Sequence, residues 1–139
     1  MHSHCVVPAF LENIKGITML YTAQYRYPGK DRLDITVKGN DIAGRLYAPT
    51  WDMVQDYKKH KISKERYAQL YYGLLIERWN ESQDFCDSTL RLVNLFGKTD
   101  RDMTLVCFCP AGTFCHRHLL IAFLQHNWGI ERGGERLNF

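Results

Sequence analysis

The sequence predicts a small α/β protein with a three-layer, Rossmann-like fold and a mainly parallel sheet. Short apolar segments alternate with longer segments of helical periodicity, an order typical of strands joined by crossover helices. The segment LVCFCPAGTFCHRHLL, residues 105–120, predicts a strand, a tight loop and a helix in direct succession. In open α/β sheets such loops follow the carboxyl ends of the strands, where ligands bind. We therefore expect the functional site at this loop.

The composition limits the class of protein. With 139 residues, 45% of them hydrophobic, the chain is expected to form a single domain over 1–139, with 1–12 and 133–139 as flexible tails. It has no apolar run of membrane-spanning length and no signal peptide, so we expect a cytoplasmic protein without a membrane partner. A net charge of +3 suits an anionic ligand but is low for a nucleic-acid-binding module. The five cysteines, an odd number, favour reduced thiols over a disulfide scaffold.

Two strands are predicted in the first part of the chain. Residues 17–23 are apolar on both faces, which is typical of a central strand, and Tyr21 and Thr22 fall at its carboxyl end. Residues 33–37 alternate and contain β-branched side chains, so a second strand is expected there, followed by Lys38. Parallel strands would bring these polar residues to the same edge of the sheet.

A Pro-Gly loop over residues 25–32 joins these two strands. Tyr25 and Arg26 belong to an aromatic and basic mixture that can stack on a nucleobase and pair with a phosphate. An ordinary solvated turn has the same composition, and the sequence leaves both interpretations open.

Three helices are predicted in the middle of the chain. Thr50 is placed to cap a helix over 51–60, whose basic last turn, with Lys58, suits the helix dipole without any functional role. Ser63 caps the next helix, whose tyrosine and leucine stripe is expected to face the core. A third helix is expected over 83–96.

The segment that follows carries the strongest local signals. A buried strand is expected over 105–109, ended by Pro110, which has no N–H to donate. Gly112 permits a sharp turn, and Thr113 lies where the N-cap of a helix belongs. We expect that helix to start within two residues of Cys115. A last short strand is expected over 129–132.

The first turn of this helix has charges of the wrong sign for its position. It holds His116, Arg117 and His118 and no acidic residue, although a helix N-terminus favours negative charge. A bound anion, most simply a phosphate, would resolve the conflict. The alternative is that Arg117 turns away and pairs with a distant carboxylate.

Several of these segments resemble the family known as domain of unknown function 488. In that family an apolar strand ending in cysteine is followed by a short loop and by Cys-His-Arg at a helix start, as in Cys115-His116-Arg117 here. Weaker similarities are Leu20-Tyr21-Thr22, residues 34–39, Ala48-Pro49-Thr50-Trp51 and Gly133-Gly134-Glu135. The resemblance covers the chain from about Ile17 onward and implies a small α/β domain, but it supplies no reaction.

The preferred interpretation is a site for a small, nucleotide-like, phosphate-containing ligand at the carboxyl edge of the sheet. Such a site can sequester a signal molecule, as a sponge does, without any chemistry. The expected ligand-binding residues are Tyr21, Thr22, Tyr25, Arg26, Lys38, Cys109, Gly112, Thr113, Cys115, His116 and Arg117.

An enzyme acting on a nucleotide or nucleobase is the first alternative. Cys109, Cys115 and His116 are the candidate catalytic residues, because a thiol near a helix N-terminus and a basic side chain has a lowered pKa. Glu135 is a further candidate for proton transfer. The distance in sequence from Cys109 to Arg117 is too long for a phosphatase loop.

A zinc-binding or nucleic-acid-binding module is the second alternative. Cys107, Cys109, Cys115, His116 and His118 are suitable ligand types for zinc, but their spacing matches no Cys-x-x-Cys knuckle. No helix-turn-helix, zinc finger or aromatic sheet signature supports a nucleic-acid partner. The sequence therefore predicts no metal and no cofactor, and it leaves the oligomeric state open.

Overall fold

The computed structural model describes residues 19–99, 102–109 and 112–139, and for residues 93–99 the backbone alone. The strands are β1 (Met19–Gln24), β2 (Arg32–Asp34), β3 (Met103–Cys107) and β4 (Glu131–Arg136). The helices are α1 (Ile42–Arg45), α2 (Trp51–Lys58), α3 (Lys64–Glu81), α4 (Gln83–Thr99) and α5 (His116–Trp128).

The four strands form one sheet in the order β2-β3-β1-β4, and each of its three strand pairs is parallel. This confirms the predicted α/β class, the parallel sheet and the Rossmann-like character. Since the strands run in the same direction, their carboxyl ends meet at a single edge. The loops after β2 and β3 are therefore neighbours at that edge.

Central strands and the last helix supply much of the core. Leu20 of β1 and Leu105 of β3 have no exposed surface, and Leu120 and Leu124 of α5 are each 1% exposed. Burying a leucine side chain fully stabilises a fold by roughly 2 kcal/mol. The burial of α5 against the sheet fixes the position of its N-terminus, which matters for the site below.

Some element boundaries differ from the sequence prediction for identifiable reasons. β3 ends at Cys107 rather than at residue 109, because the carbonyl of Cys109 accepts a hydrogen bond from Arg117 at 2.9 Å instead of joining the sheet. β2 ends at Asp34, whose carboxylate accepts a hydrogen bond from the Thr36 amide at 3.0 Å and turns the chain. The N-cap of α5 is Cys115, so the prediction that Thr113 caps this helix is wrong.

Part of the predicted C-terminal tail is a strand. Residues 133–136 belong to β4 and pair with β1, so their assignment to a flexible tail is wrong. Gly133 permits this pairing, because a Cβ at that position would overlap the ring of Tyr21. Residues 1–12, the other predicted tail, lie outside the described residues.

The expectation that the cysteines are reduced holds for three of the described cysteines and fails for one. Cys107, Cys109 and Cys115 are free. Cys86 is buried on α4 and is disulfide-bonded, so the expectation is wrong at that position. Among the described residues, no helix combines the length and apolar character needed to cross a membrane.

A pair of glycine substitutions tests this packing. Gly44 of α1 lies so close to β2 that an added Cβ would overlap the carbonyl oxygen of Asp34, whereas a Cβ on Gly73 of α3 would meet nothing within 4 Å. We expect Gly44→Ala to lower the free energy of unfolding by about 1–3 kcal/mol. Gly73→Ala should raise it by up to about 1 kcal/mol, because alanine favours helix. Urea denaturation of both variants measures these changes, and a neutral Gly44→Ala would contradict the packing of α1 on β2.

Candidate functional site

A cavity of about 270 Å³ opens at the carboxyl ends of β2 and β3. The loop after β2, helix α2, helix α3 and the start of α5 enclose it. Its lining residues are Thr36, Val37, Lys38, Trp51, Val54, Tyr57, Lys58, Tyr67, Cys107, Phe108, Cys109, Phe114, Cys115 and His116. The site therefore lies at the edge of the sheet that the sequence indicates.

Three thiols form the floor of the cavity. Cys107 is the last residue of β3, Cys109 follows two residues later, and Cys115 is the N-cap of α5. Their sulfur atoms all lie within 4.8 Å of one another, and the Cys107 and Cys115 sulfurs are 2.7 Å apart. Cys107 and Cys115 are 1% and 3% exposed, whereas Cys109 is half-buried. Cys109 is thus the thiol that a molecule in the cavity can reach most easily.

The thiols are electrostatically different from one another. Hydrogen bonds from Cys107 and Cys115 lower the pKa of Cys109 to about 3, and the charges of Arg117 and Lys58 act in the same direction. The interaction with these neighbours, together with burial, raises the pKa of Cys115. Cys109 therefore favours the thiolate form more strongly than Cys115 does.

His116 is held in one tautomer beside the thiols. Its Nε2 lies 2.8 Å from the carbonyl oxygen of Ile35, and because a carbonyl can only accept, Nε2 must carry the proton. Burial lowers the pKa of His116, so the imidazole is neutral. Its Nδ1 is then a lone-pair acceptor, 3.6 Å from the Cys115 sulfur.

Arg117 is fully buried and engaged with protein groups. Its Nε and Nη2 donate to the two carboxylate oxygens of Glu135 at 3.2 and 2.6 Å. Its Nη1 donates to the carbonyl of Cys109 at 2.9 Å and to the sulfur of Cys107 at 3.0 Å. This is the arrangement of the alternative interpretation, in which Arg117 pairs with a distant carboxylate.

Aromatic rings form the wall of the cavity. The ring of Phe114 packs edge-on against Tyr57 and Tyr67, at centroid distances of 5.4 and 5.6 Å. Tyr67 is 4% exposed, and its hydroxyl has no hydrogen-bond partner among the described residues. A buried hydroxyl normally finds a partner, and Tyr67 is one of the residues that line the cavity.

Two lysines supply the charge at the rim. The Lys38 ammonium lies 4.3 Å from the centre of the Trp51 ring, which is itself 48% exposed. Lys58 ends α2 and also lines the cavity. No carboxylate is present among the described lining residues. The cavity therefore combines a positive rim with an aromatic wall.

Four of the ligand-binding residues predicted from the sequence line this cavity: Lys38, Cys109, Cys115 and His116. Gly112 and Thr113 are exposed in the loop before α5, and Gly112 has the positive φ of +76° that its predicted turn requires. Arg117 lies beneath the cavity floor, as described above.

The four predicted residues near β1 lie outside the cavity lining. The Tyr21 ring is covered by the guanidinium of Arg136 at 3.7 Å, and Thr22 hydrogen-bonds to Glu135. Arg26 lies 5.0 Å from the centre of the Phe139 ring. Tyr25 stacks on Phe108, a lining residue, at 4.1 Å and so supports the cavity from outside.

The sequence does not indicate that five of the lining residues belong to the site: Trp51, Tyr57, Lys58, Tyr67 and Phe114. Helical periodicity predicts a core position for Tyr67, which does pack in the core and also lines the cavity. The dipole of α2 explained Lys58 without a ligand. The sequence gives no signal for these roles, because each depends on how α2 and α3 dock beside β3.

Comparison with known proteins identifies a family. The family model DUF488-N3a, described as the active DUF488-N3 subclade, matches residues 16–128. No curated protein and no solved structure matches the chain. The match extends from before β1 to the end of α5 and includes the three thiols and the other cavity-lining residues, whereas β4 and Glu135 follow it.

The Arg117–Glu135 pair predicts a pH-dependent stability. Burial raises the pKa of Glu135, but hydrogen bonds from Arg117 and Thr22 outweigh this and hold it below its usual value of 4.5. The pair should therefore stabilise the fold above pH 4.5, and this contribution should disappear as the pH falls through the lower folded-state pKa. At pH 7, Glu135→Gln should lower the free energy of unfolding by about 3 kcal/mol.

Glu131→Gln is the matched control, since Glu131 is exposed on the same strand. Urea denaturation at a series of pH values should show the deficit of Glu135→Gln shrinking in acid and little change for Glu131→Gln. Equal stabilities of the two variants at pH 7 would contradict the role of the ion pair.

Proposed function

This chain belongs to the DUF488 family, and we propose that it is an enzyme whose substrate is a small, nucleotide-like, phosphate-containing molecule bound over the three thiols. The proposal depends on one observation. A single cavity has an aromatic wall, a rim with two lysines and no carboxylate among its described lining residues, and a floor of thiols beside a neutral imidazole.

The size of the cavity favours a small ligand. Small-molecule sites commonly have volumes of about 300–1,000 Å³, and the cavity here measures about 270 Å³. A ligand of mononucleotide size or smaller suits this volume, whereas a dinucleotide cofactor would require a larger cleft. The opening at the rim allows a phosphate to remain partly in solvent.

Each end of a nucleotide has a suitable partner in the cavity. The exposed Trp51 ring offers a flat surface for stacking a base, as aromatic side chains do in many nucleic-acid-binding proteins. The ammonium groups of Lys38 and Lys58 are the cations that a phosphate would meet. This reassigns the phosphate contact from Arg117, whose guanidinium is bonded to Glu135, to the lysines.

The floor of the cavity favours turnover over sequestration. A protein that only sequesters a nucleotide needs aromatic and cationic contacts and gains nothing from three clustered thiols. Cys109 is the thiol accessible from the cavity, and Nδ1 of His116 is a proton acceptor close to Cys115.

A lysine pair tests ligand binding directly. Isothermal titration with the four ribonucleoside 5′-monophosphates should detect binding of at least one, and Lys58→Ala should weaken it about tenfold, or about 1.4 kcal/mol. Lys59→Ala is the matched control, because Lys59 is the next residue, is exposed and does not line the cavity. The corresponding nucleoside without phosphate should bind more weakly than the nucleotide. Equal effects of the two lysine variants would contradict the proposed phosphate contact.

Mass spectrometry of the nucleotide after incubation separates turnover from sequestration. An enzyme should yield a product of changed mass, and Cys109→Ser should abolish it without weakening nucleotide binding more than about twofold. Recovery of intact nucleotide in amounts equal to the protein would instead favour sequestration of the ligand and contradict the enzymatic part of the proposal.

A further inference from the structure

We propose that Cys107, Cys109 and Cys115 together bind one thiophilic divalent cation, for which Zn²⁺ is the natural choice, with its fourth coordination position open to the cavity. This inference goes beyond the proposed function, because it depends on the sulfur positions and holds whether or not a nucleotide binds. Three protein ligands and one open position are the usual arrangement of a catalytic zinc ion.

The sulfur positions are close to those that one ion requires. The three sulfur atoms all lie within 4.8 Å of one another. In a tetrahedral site with Zn–S bonds of about 2.3 Å, neighbouring sulfurs are about 3.8 Å apart. The Cys107 and Cys115 sulfurs, at 2.7 Å, must separate by about 1 Å, which a side-chain rotation can provide. Cys109 lies on a loop outside the sheet and can adjust to the ion.

The charges around the thiols are compatible with a bound cation. Arg117 is the nearest fixed positive group, but its charge is matched by Glu135 at 2.6 Å. Binding of Zn²⁺ deprotonates the thiols, and the charge of the divalent ion offsets the repulsion between the three thiolates that result. The hydrogen bond from Arg117 Nη1 to the Cys107 sulfur, at 3.0 Å, is of the kind that orients and stabilises a metal-bound thiolate.

The position of the thiols also provides access. Cys107 and Cys115 are buried and would fix the ion, whereas Cys109 faces the cavity and leaves a path for the ion and for a fourth ligand. His116 Nδ1, a lone-pair acceptor, lies beside this set, 3.6 Å from the Cys115 sulfur. Sequence spacing argues against zinc because no Cys-x-x-Cys pair is present; the cluster arises instead from the meeting of β3 and α5.

Metal content and cobalt substitution test this site. The full chain, purified under reducing conditions without chelator, should contain about one zinc ion per chain by elemental analysis. Replacement by Co²⁺ should produce thiolate-to-cobalt charge-transfer absorption and the intense visible bands of a tetrahedral ion. Cys109→Ser should reduce the affinity for Co²⁺ at least tenfold, with circular dichroism confirming that the variant remains folded.

The control addresses the other potential ligands in the sequence. His2 and His4, near the start of the sequence, are residue types that can bind metal adventitiously, so His2→Ala/His4→Ala is the matched variant. It should retain the cobalt spectrum and the zinc stoichiometry of the parent chain.

Two results would overturn the inference: no charge-transfer band, or loss of metal in the histidine double variant with retention in Cys109→Ser. Titration of zinc-free protein with nucleoside monophosphates then shows separately whether the ligand proposal stands or fails.

Discussion

A buried arginine connects the elements that carry the thiol cluster. Arg117, on the first turn of α5, is bonded to Glu135 of β4, to the carbonyl of Cys109 and to the sulfur of Cys107. These contacts join a helix, an edge strand and the loop after β3 at one point. A guanidinium without exposed surface requires such partners, because an unmatched charge in the interior costs several kcal/mol. The geometry of the thiol cluster depends on this network.

The positively charged side chains of the site have two different roles, structural and ligand-facing. Arg117 is committed to the fold, whereas Lys38 and Lys58 lie at the rim, and no described carboxylate lines the cavity beside them. The same division applies to the thiols, since Cys107 and Cys115 are buried and Cys109 faces the cavity. Rigid elements thus place the inner groups, and the exposed groups remain available to a ligand.

Local sequence patterns predict the strands and helices, but they do not predict which residues meet at the cavity. The strand, turn and helix around Gly112 were predictable, because an apolar run, a positive-φ glycine and helical periodicity act over a few residues. The sequence does not decide whether Arg117 pairs with an anion or with a carboxylate, since Glu135 is 18 residues away and reaches it only through the pairing of β4 with β1. The lining role of Lys58 likewise depends on tertiary packing, which spacing in the sequence does not encode.

We propose that a nucleotide-like ligand binds directly over Cys109. Alkylation of reduced, zinc-free protein by iodoacetamide, followed by peptide mass spectrometry, tests this position. Cys109 should be modified before the buried Cys107 and Cys115, and a saturating nucleoside monophosphate should slow this modification at least tenfold. Modification of Cys109 at the same rate with and without nucleotide, in protein shown by titration to be saturated, would show that the ligand does not lie over Cys109.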